Sequence, residues 1–188
     1  MSNLHDDVKA NRCPFCREVA DDDENKKRTM KRVKANDPAA LSHMGEMCYK
    51  EGDYEDAFEY WKKASELGDS NAHHQLGCMY RDGEDVEEDE GKAVYHYEMA
   101  AIGGNPYARN MLGAIELKNG NSERAVKHMI IAAKLGYEES MKSLWKLYSL
   151  GHITKEDLDA TLRSHHAAIN AMKSEQREAA EAIGVFQL

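Results

Sequence analysis

The chain has 188 residues, 31% of them charged, with 34 Asp/Glu against 25 Lys/Arg and a formal net charge of −9. Its longest apolar run, Met129 to Ala133, is far short of the roughly 20 residues a membrane helix needs. An acidic balance also argues against nucleic-acid binding, which requires a basic face to neutralise phosphates.

Residues 1–20 are polar and carry no helical period. Met1 to Arg12 holds Asp6, Asp7, Lys9 and Arg12 and lacks the apolar core of a secretory signal, so an intracellular chain, cytoplasmic or nuclear, is expected. Cys13 and Cys16 form the only close pair of the four cysteines. Residues 21–36 form a charged connecting helix. Asp21 to Glu24 come first and Lys26 to Lys34, six bases in nine residues, come last, which complements the helix dipole. The basic run is read as a solvated face; a nuclear-import segment is the alternative. The helix must end before Pro38, because a residue preceding proline is pushed out of the α region.

From residue 37 the sequence repeats. Gly45, Gly77 and Gly113 begin matching blocks, 32 and 36 residues apart. Alanine pairs seven residues apart follow: Ala57 and Ala64, Ala93 and Ala100, Ala125 and Ala132. A period in this range signals stacked helical hairpins, not a globule around one pocket. The expected units are 37–68, 69–104 and 105–136. In the first, Ala40, Met44, Gly45 and Cys48 form one helix stripe, Glu51 to Asp53 turns the chain, and Ala57, Phe58, Trp61 and Ala64 face the core. The second carries Ala72, Leu76, Gly77 and Tyr80. Its loop is longer, since Gly45 to Ala57 spans 12 residues and Gly77 to Ala93 spans 16. Seven acids crowd that loop: Asp82, Glu84, Asp85, Glu87, Glu88, Asp89 and Glu90. They lack the alternation around a central glycine of a calcium loop, so they read as solvated, with Asp89 capping the next helix. In the third, Pro106 opens the helix that carries Ala108, Leu112 and Gly113.

A degraded fourth unit, 137–169, has Ser140 and Trp145 where the third has Ala108 and Gly113. Tryptophan cannot occupy a close helix crossing, so this unit reads as a terminal cap, with Thr154 capping its second helix. Residues 170–188 are expected as a tail or capping helix.

The repeats resemble Sel-one-like (Sel1-like) repeats, relatives of the tetratricopeptide repeat. The second unit carries the pattern: Ala72, Leu76, Gly77, Tyr80, Gly83, Val86, Asp89, Lys92, Ala93, Tyr97, Ala100, Ala101 and Gly104. Asp85 stands where the family has glycine. The resemblance implies an all-α, right-handed solenoid of Sel1-like/tetratricopeptide-like hairpins, and a non-catalytic scaffold for protein complexes. It supplies no catalytic residue. A partner peptide or helix is expected on the face built by the first helices, with Tyr49, Tyr80 and Asn110 as its contacts. Equivalent positions can equally be packed inside.

Cys13-Pro14-Phe15-Cys16-Arg17 resembles the last cysteine pair of a RING-type zinc finger. In RING ubiquitin ligases an arginine after the final cysteine helps hold ubiquitin on the conjugating enzyme, which would give Arg17 that contact. A structural zinc needs four ligands, and upstream of Cys13 only His5 could serve. The segment therefore reads as a truncated or degenerate finger, or as a half-site for zinc completed by another chain. This leaves an alternative function, the substrate-recognition portion of a RING-type ubiquitin ligase; a ubiquitin-conjugating enzyme is a partner only if the finger is complete in a longer form. Cys-Pro-Phe-Cys also resembles a glutaredoxin site, but no strand precedes it as that chemistry requires. Tyr60, His96 and His128 fall at equivalent places on successive second helices, a ridge read as polar packing or partner contact and not as a metal site. His73-His74 and His165-His166 are adjacent in sequence and point to different faces. Cys48 and Cys78 read as small apolar packing residues.

Overall fold

The computed structural model describes residues 22–182, and the side chains of residues 27–176. These residues form helices joined by tight turns: α1 (Asp22–Lys34), α2 (Pro38–Glu51), α3 (Tyr54–Glu66), α4 (Ser70–Asp82), α5 (Glu90–Ile102), α6 (Pro106–Lys118), α7 (Ser122–Lys134), α8 (Glu138–Ser149) and α9 (Lys155–Ala182). Each packs on the next in sequence, and α9 also reaches back to α7. The result is a stack of helical hairpins, α2–α3, α4–α5 and α6–α7, closed by α8 and α9.

Local chemistry sets the helix starts. The carboxylate of Asp37 accepts from the amides of Ala39 and Ala40, and Asp69, Asp89 and Asn105 each accept from the amide three residues on. Thr154 does the same for Asp157, at 3.1 Å. Such caps satisfy amides that have no partner inside the helix. Pro38 and Pro106 take first-turn positions, where a missing N–H costs nothing. The α2–α3 turn needs a left-handed residue, and Gly52 supplies it at φ 85°.

The core runs between hairpins as well as within them. Leu41, Ala57, Trp61 and Ala64 of the first hairpin pack with Ala72, Leu76 and Met79 of the second. Ala93, Tyr97, Ala100 and Ala101 pack with Ala108 and Leu112 of the third. Val126, Met129 and Ala133 pack with Met141, Leu144, Leu147, Ile153 and Leu158 of the terminal unit. No hairpin buries its apolar surface alone, so stability is shared between neighbours.

The repeated glycines mark the tightest crossings. A Cβ added at Gly45 would lie 2.6 Å from the Trp61 ring, one at Gly77 2.7 Å from the Tyr97 ring, and one at Gly113 3.0 Å from Met129 Cγ. Each glycine thus makes room for the large residue of its own second helix. Trp145, at the corresponding place in α8, is 49% exposed and meets Tyr148 edge-on. The terminal unit is held by polar contacts as well as by its core. Ser140 donates to the Asn110 side chain at 2.8 Å. His165, buried, reaches the Ala133 carbonyl at 2.8 Å and Glu138 at 3.0 Å.

Candidate partner-binding site

The four extra loop residues of the second hairpin change the surface beside them. The chain leaves α4 through Gly83 in the left-handed region, and Asp85 also has a positive φ of 57°. Asp89 returns to the Tyr80 carbonyl at 2.9 Å and caps α5. The loop then overhangs a cavity of about 240 Å³ bounded by α4, α5 and α6. Ala93, Tyr97, Met111, Ala114 and Ile115 form its apolar walls, and Arg81, Glu88, Glu90 and Lys118 form its rim.

Most of that rim is already paired. Arg81 grips Asp82 in a bidentate bond at 2.7 and 2.6 Å and lies 3.1 Å from Met111 Sδ. Lys118 sits 3.3 Å from both Glu90 oxygens. The cavity therefore offers an apolar floor ringed by mutually compensated charge, which suits an uncharged side chain entering from a partner. Arg81, Met111, Ala114 and Lys118 were not singled out by sequence reasoning. The longer loop was the available signal.

Tyr49, Tyr80 and Asn110 meet three different surroundings. The Tyr49 hydroxyl donates to Glu84 at 2.7 Å, and that bond pushes its pKa up to about 12. Its ring packs on Tyr54 and Trp61. Asn110 is buried and accepts from Ser140. Tyr80 is half-buried, stacked on His96 at 5.6 Å and edge-on to Phe58, with the Lys92 ammonium 5.1 Å from its ring centre.

Tyr80 belongs to a second concavity, a groove of about 630 Å³ lying mainly between α3 and α5. Its floor includes His73, Leu76 and Tyr80 of α4; Phe58 and Lys62 stand on one side, and Tyr95, His96 and Met99 on the other. His73 and His96 face each other with Nδ1 atoms 3.0 Å apart. Burial pushes both imidazoles down, His96 to about 4, so both are neutral at pH 7. The equivalent place in the third hairpin pairs Arg109 with His128, where Arg109 Nε and His128 Nδ1 are buried without hydrogen-bond partners. His96 and His128 thus each meet a different first-helix neighbour, His73 and Arg109.

Cys13, Cys16 and Arg17 lie outside the described residues. Cys48 and Cys78 are half-buried, and burial pushes both thiols up, away from the thiolate that ligates metal or attacks disulfides. Cys78 accepts from the Tyr97 hydroxyl at 3.5 Å. Among the described residues no group of three or more His, Cys, Asp or Glu side chains could hold a metal ion, and no helix is long and apolar enough to cross a membrane.

Comparison with known proteins gives the fold a family. The chain resembles a Sel1 repeat protein of Oxalobacter formigenes, at 32% identity and a TM-score of 0.66, over 79% of this chain and 64% of that one. It has the fold of a protective antigen of uropathogenic Escherichia coli that displays an SLR fold, at 23% identity and a TM-score of 0.62, over 84% of this chain and 36% of that one. Over 86 residues it is 31% identical to chitin synthase regulatory factor 4 of Schizosaccharomyces pombe, covering 45% of this chain and 14% of that protein. The chain therefore spans only part of the length of each of these relatives. The Sel1 repeat model matches residues 38–69, 70–105 and 106–137, together more than half of the sequence. With its glycine crossings, shared cores and this threefold match, the chain belongs to the Sel1 repeat family.

Proposed function

We propose that this chain is a non-catalytic scaffold that captures a segment of a protein partner, with an apolar side chain of that segment anchored in the cavity between α4, α5 and α6. The cavity carries this reading. It is apolar inside, ringed by paired charge, and large enough for one or two side chains. Sel1 repeats generally mediate protein binding, which supports the class of function. Tyr97 and Met111 form the anchor walls, and the acidic loop Asp82 to Glu90 steers segments with basic flanks toward them. Tyr49 serves by tying α2 to that loop through Glu84, and Asn110 by holding α8. Of the three tyrosine and asparagine contacts expected from the sequence, Tyr80 lines the groove on the other side of α4.

The test is a selection of short random peptides displayed on phage against the full chain. Ala114 is exposed and lines the cavity, so Ala114→Trp fills it from outside without entering the core. Selected peptides should share an apolar anchor and lose at least about tenfold in affinity, roughly 1.4 kcal/mol, for Ala114→Trp at an unchanged melting temperature. Tyr95→Ala, on the opposite groove, should leave them bound. Peptides indifferent to Ala114→Trp and sensitive to Tyr95→Ala would refute the cavity as the docking point.

A further inference from the structure

The chain is acidic overall, yet one face carries bases beside apolar side chains. The outer side of α7 exposes Arg124, Lys127 and Lys134, and with them Ile131 at 41% and Leu135 at 44%. Their spacing of three and four residues puts them on one helix face. Arg124, Lys127, His128 and Ile131 bound a shallow depression of about 220 Å³. Arg109 of α6 stands next to His128.

Arg109 is the anomaly of this face. Its counterpart in the first hairpin is the buried Leu41. Its Nε is buried without a hydrogen-bond partner, and so is Nδ1 of His128. No carboxylate among the described residues lies within ion-pair distance of the guanidinium. Arg124 and Lys127 differ, since Glu116 engages the first at 2.9 Å and Glu123 the second at 2.6 Å. Burial, and then the charge of Arg109, push the His128 imidazole down, so it is neutral at pH 7. A buried donor without a partner costs stability, and leucine fills this place in the first hairpin.

From this uncompensated charge beside an apolar strip we infer that the α6–α7 face docks an acidic amphipathic segment of a protein partner, with a carboxylate on Arg109 and an apolar side chain on Ile131 and Leu135. Charge complementarity carries the inference. The guanidinium is already partly withdrawn from water and held by the fold, so a carboxylate meets a partner whose desolvation is largely complete. A planar guanidinium also suits a planar carboxylate, which it can grip with two parallel bonds. A nucleic acid fits less well. Glu98, Glu116 and Glu123 stand on the same face and repel a run of phosphates, whereas a single carboxylate meets a single free guanidinium. The exposed isoleucine and leucine call for apolar side chains between the acids of the segment. This face is distinct from the cavity between α4, α5 and α6. On α6, Arg109 lies on the side opposite Met111, Ala114 and Lys118. The cavity, beside its acidic loop, selects basic flanks, and the α6–α7 face selects acidic ones.

The test uses random peptides displayed on phage and the full chain carrying Ala114→Trp, so that the cavity is filled throughout. Recovered peptides should interleave Asp or Glu with apolar residues, and their binding should weaken as salt is added. Adding Arg109→Leu or Ile131→Glu to the same chain should weaken them at least about tenfold, the size of effect expected for removing one partner of a partly buried charge pair or its apolar neighbour. Arg109→Leu should melt no lower than its parent, because it installs the residue of the first hairpin and removes an orphaned donor. Recovery of no binder, or of peptides indifferent to Arg109→Leu, would overturn the inference. So would binding of single-stranded DNA that Arg109→Leu abolishes, which would make the face a site for polyanions. Failure of the cavity reading leaves this result untouched, since every protein in the comparison has the cavity closed.

Discussion

At the same place in their hairpins, Gly77 and Trp145 meet opposite surroundings. Gly77 faces the ring of Tyr97, so close that a single added carbon would lie 2.7 Å from it. Trp145 is half-exposed, and the helix that follows it, α9, packs on α7 as well as on α8. In the inner hairpins the first helix yields space and the second helix fills it with Trp61, Tyr97 or Met129. In the terminal unit the partner helix is drawn off toward α7, and the position that had to be small is free to be large. The comparison shows that the repeat pattern encodes a crossing. Where the crossing is relaxed the pattern lapses, and a bulky residue is accommodated there.

The strongest way to break this comparison is to put the terminal residue inside. Gly77→Trp should cost about 3 kcal/mol or more by overpacking, since the Tyr97 ring is buried and cannot withdraw. That corresponds to a melting temperature lower by roughly 6–12 °C for a chain of this size. Hairpins share their cores, so the damage should spread. Amide exchange should quicken in α3 and α6, whose apolar faces pack on this unit. An unchanged melting temperature would show that the Gly77 crossing can open without penalty.

The architecture was legible because its determinants are local or periodic. Acidic and amide caps before α2 to α6, glycine at the inner crossings and alanine every seven residues are visible as spacing, and they fix hairpins without knowledge of what touches what. The departure at Trp145 was legible for the same reason. The sites were less so. His96 aligns in sequence with Tyr60 and His128, but its working neighbour is His73, on a different helix, and only the crossing of α4 and α5 brings them to 3.0 Å. The column that follows the repeated alanine, Leu41, His73 and Arg109, held the signal, because it turns from apolar to polar along the stack. Asn110 illustrates the reverse. A polar residue on a first helix looks available to a partner, yet Ser140 occupies it inside the stack. The cavity beside Met111 depends on the path of the long loop, which spacing announces but does not draw.

A second test addresses what replaces the missing crossing. The terminal unit relies on His165, which is 2% exposed and joins α9 to the Ala133 carbonyl at the end of α7 and to Glu138 at the start of α8. His165→Leu keeps the volume and removes both bonds. The Ala133 carbonyl still accepts from Gly136, so it is not orphaned. The expected cost is about 1–2 kcal/mol, the value of lost buried hydrogen bonds with partial compensation. Exchange should accelerate in α9 and α8 while α2 and α3 keep their protection. A uniform acceleration along the whole chain would mean that the cap and the inner hairpins unfold as one unit, and the two regions would then differ in packing without differing in stability.

The smallest effect is expected where the comparison is most direct, at Trp145 itself. Trp145→Ala removes an edge-to-face contact with Tyr148, at 6.3 Å between ring centres, worth about 0.5–1.5 kcal/mol in a well-packed setting and less on a half-exposed surface. It also replaces a middling helix former with the best one, a gain of about 0.5 kcal/mol in the middle of α8. The two terms oppose each other, so the net change should lie within about 0.5 kcal/mol, a shift of roughly 2 °C or less. Set beside the large loss at Gly77→Trp, that near-neutrality would mean that the size of this side chain matters only where a second helix crosses it. A loss of about 3 kcal/mol would instead place Trp145 in a crossing as close as the inner ones, and α8 would count as a fourth full repeat helix.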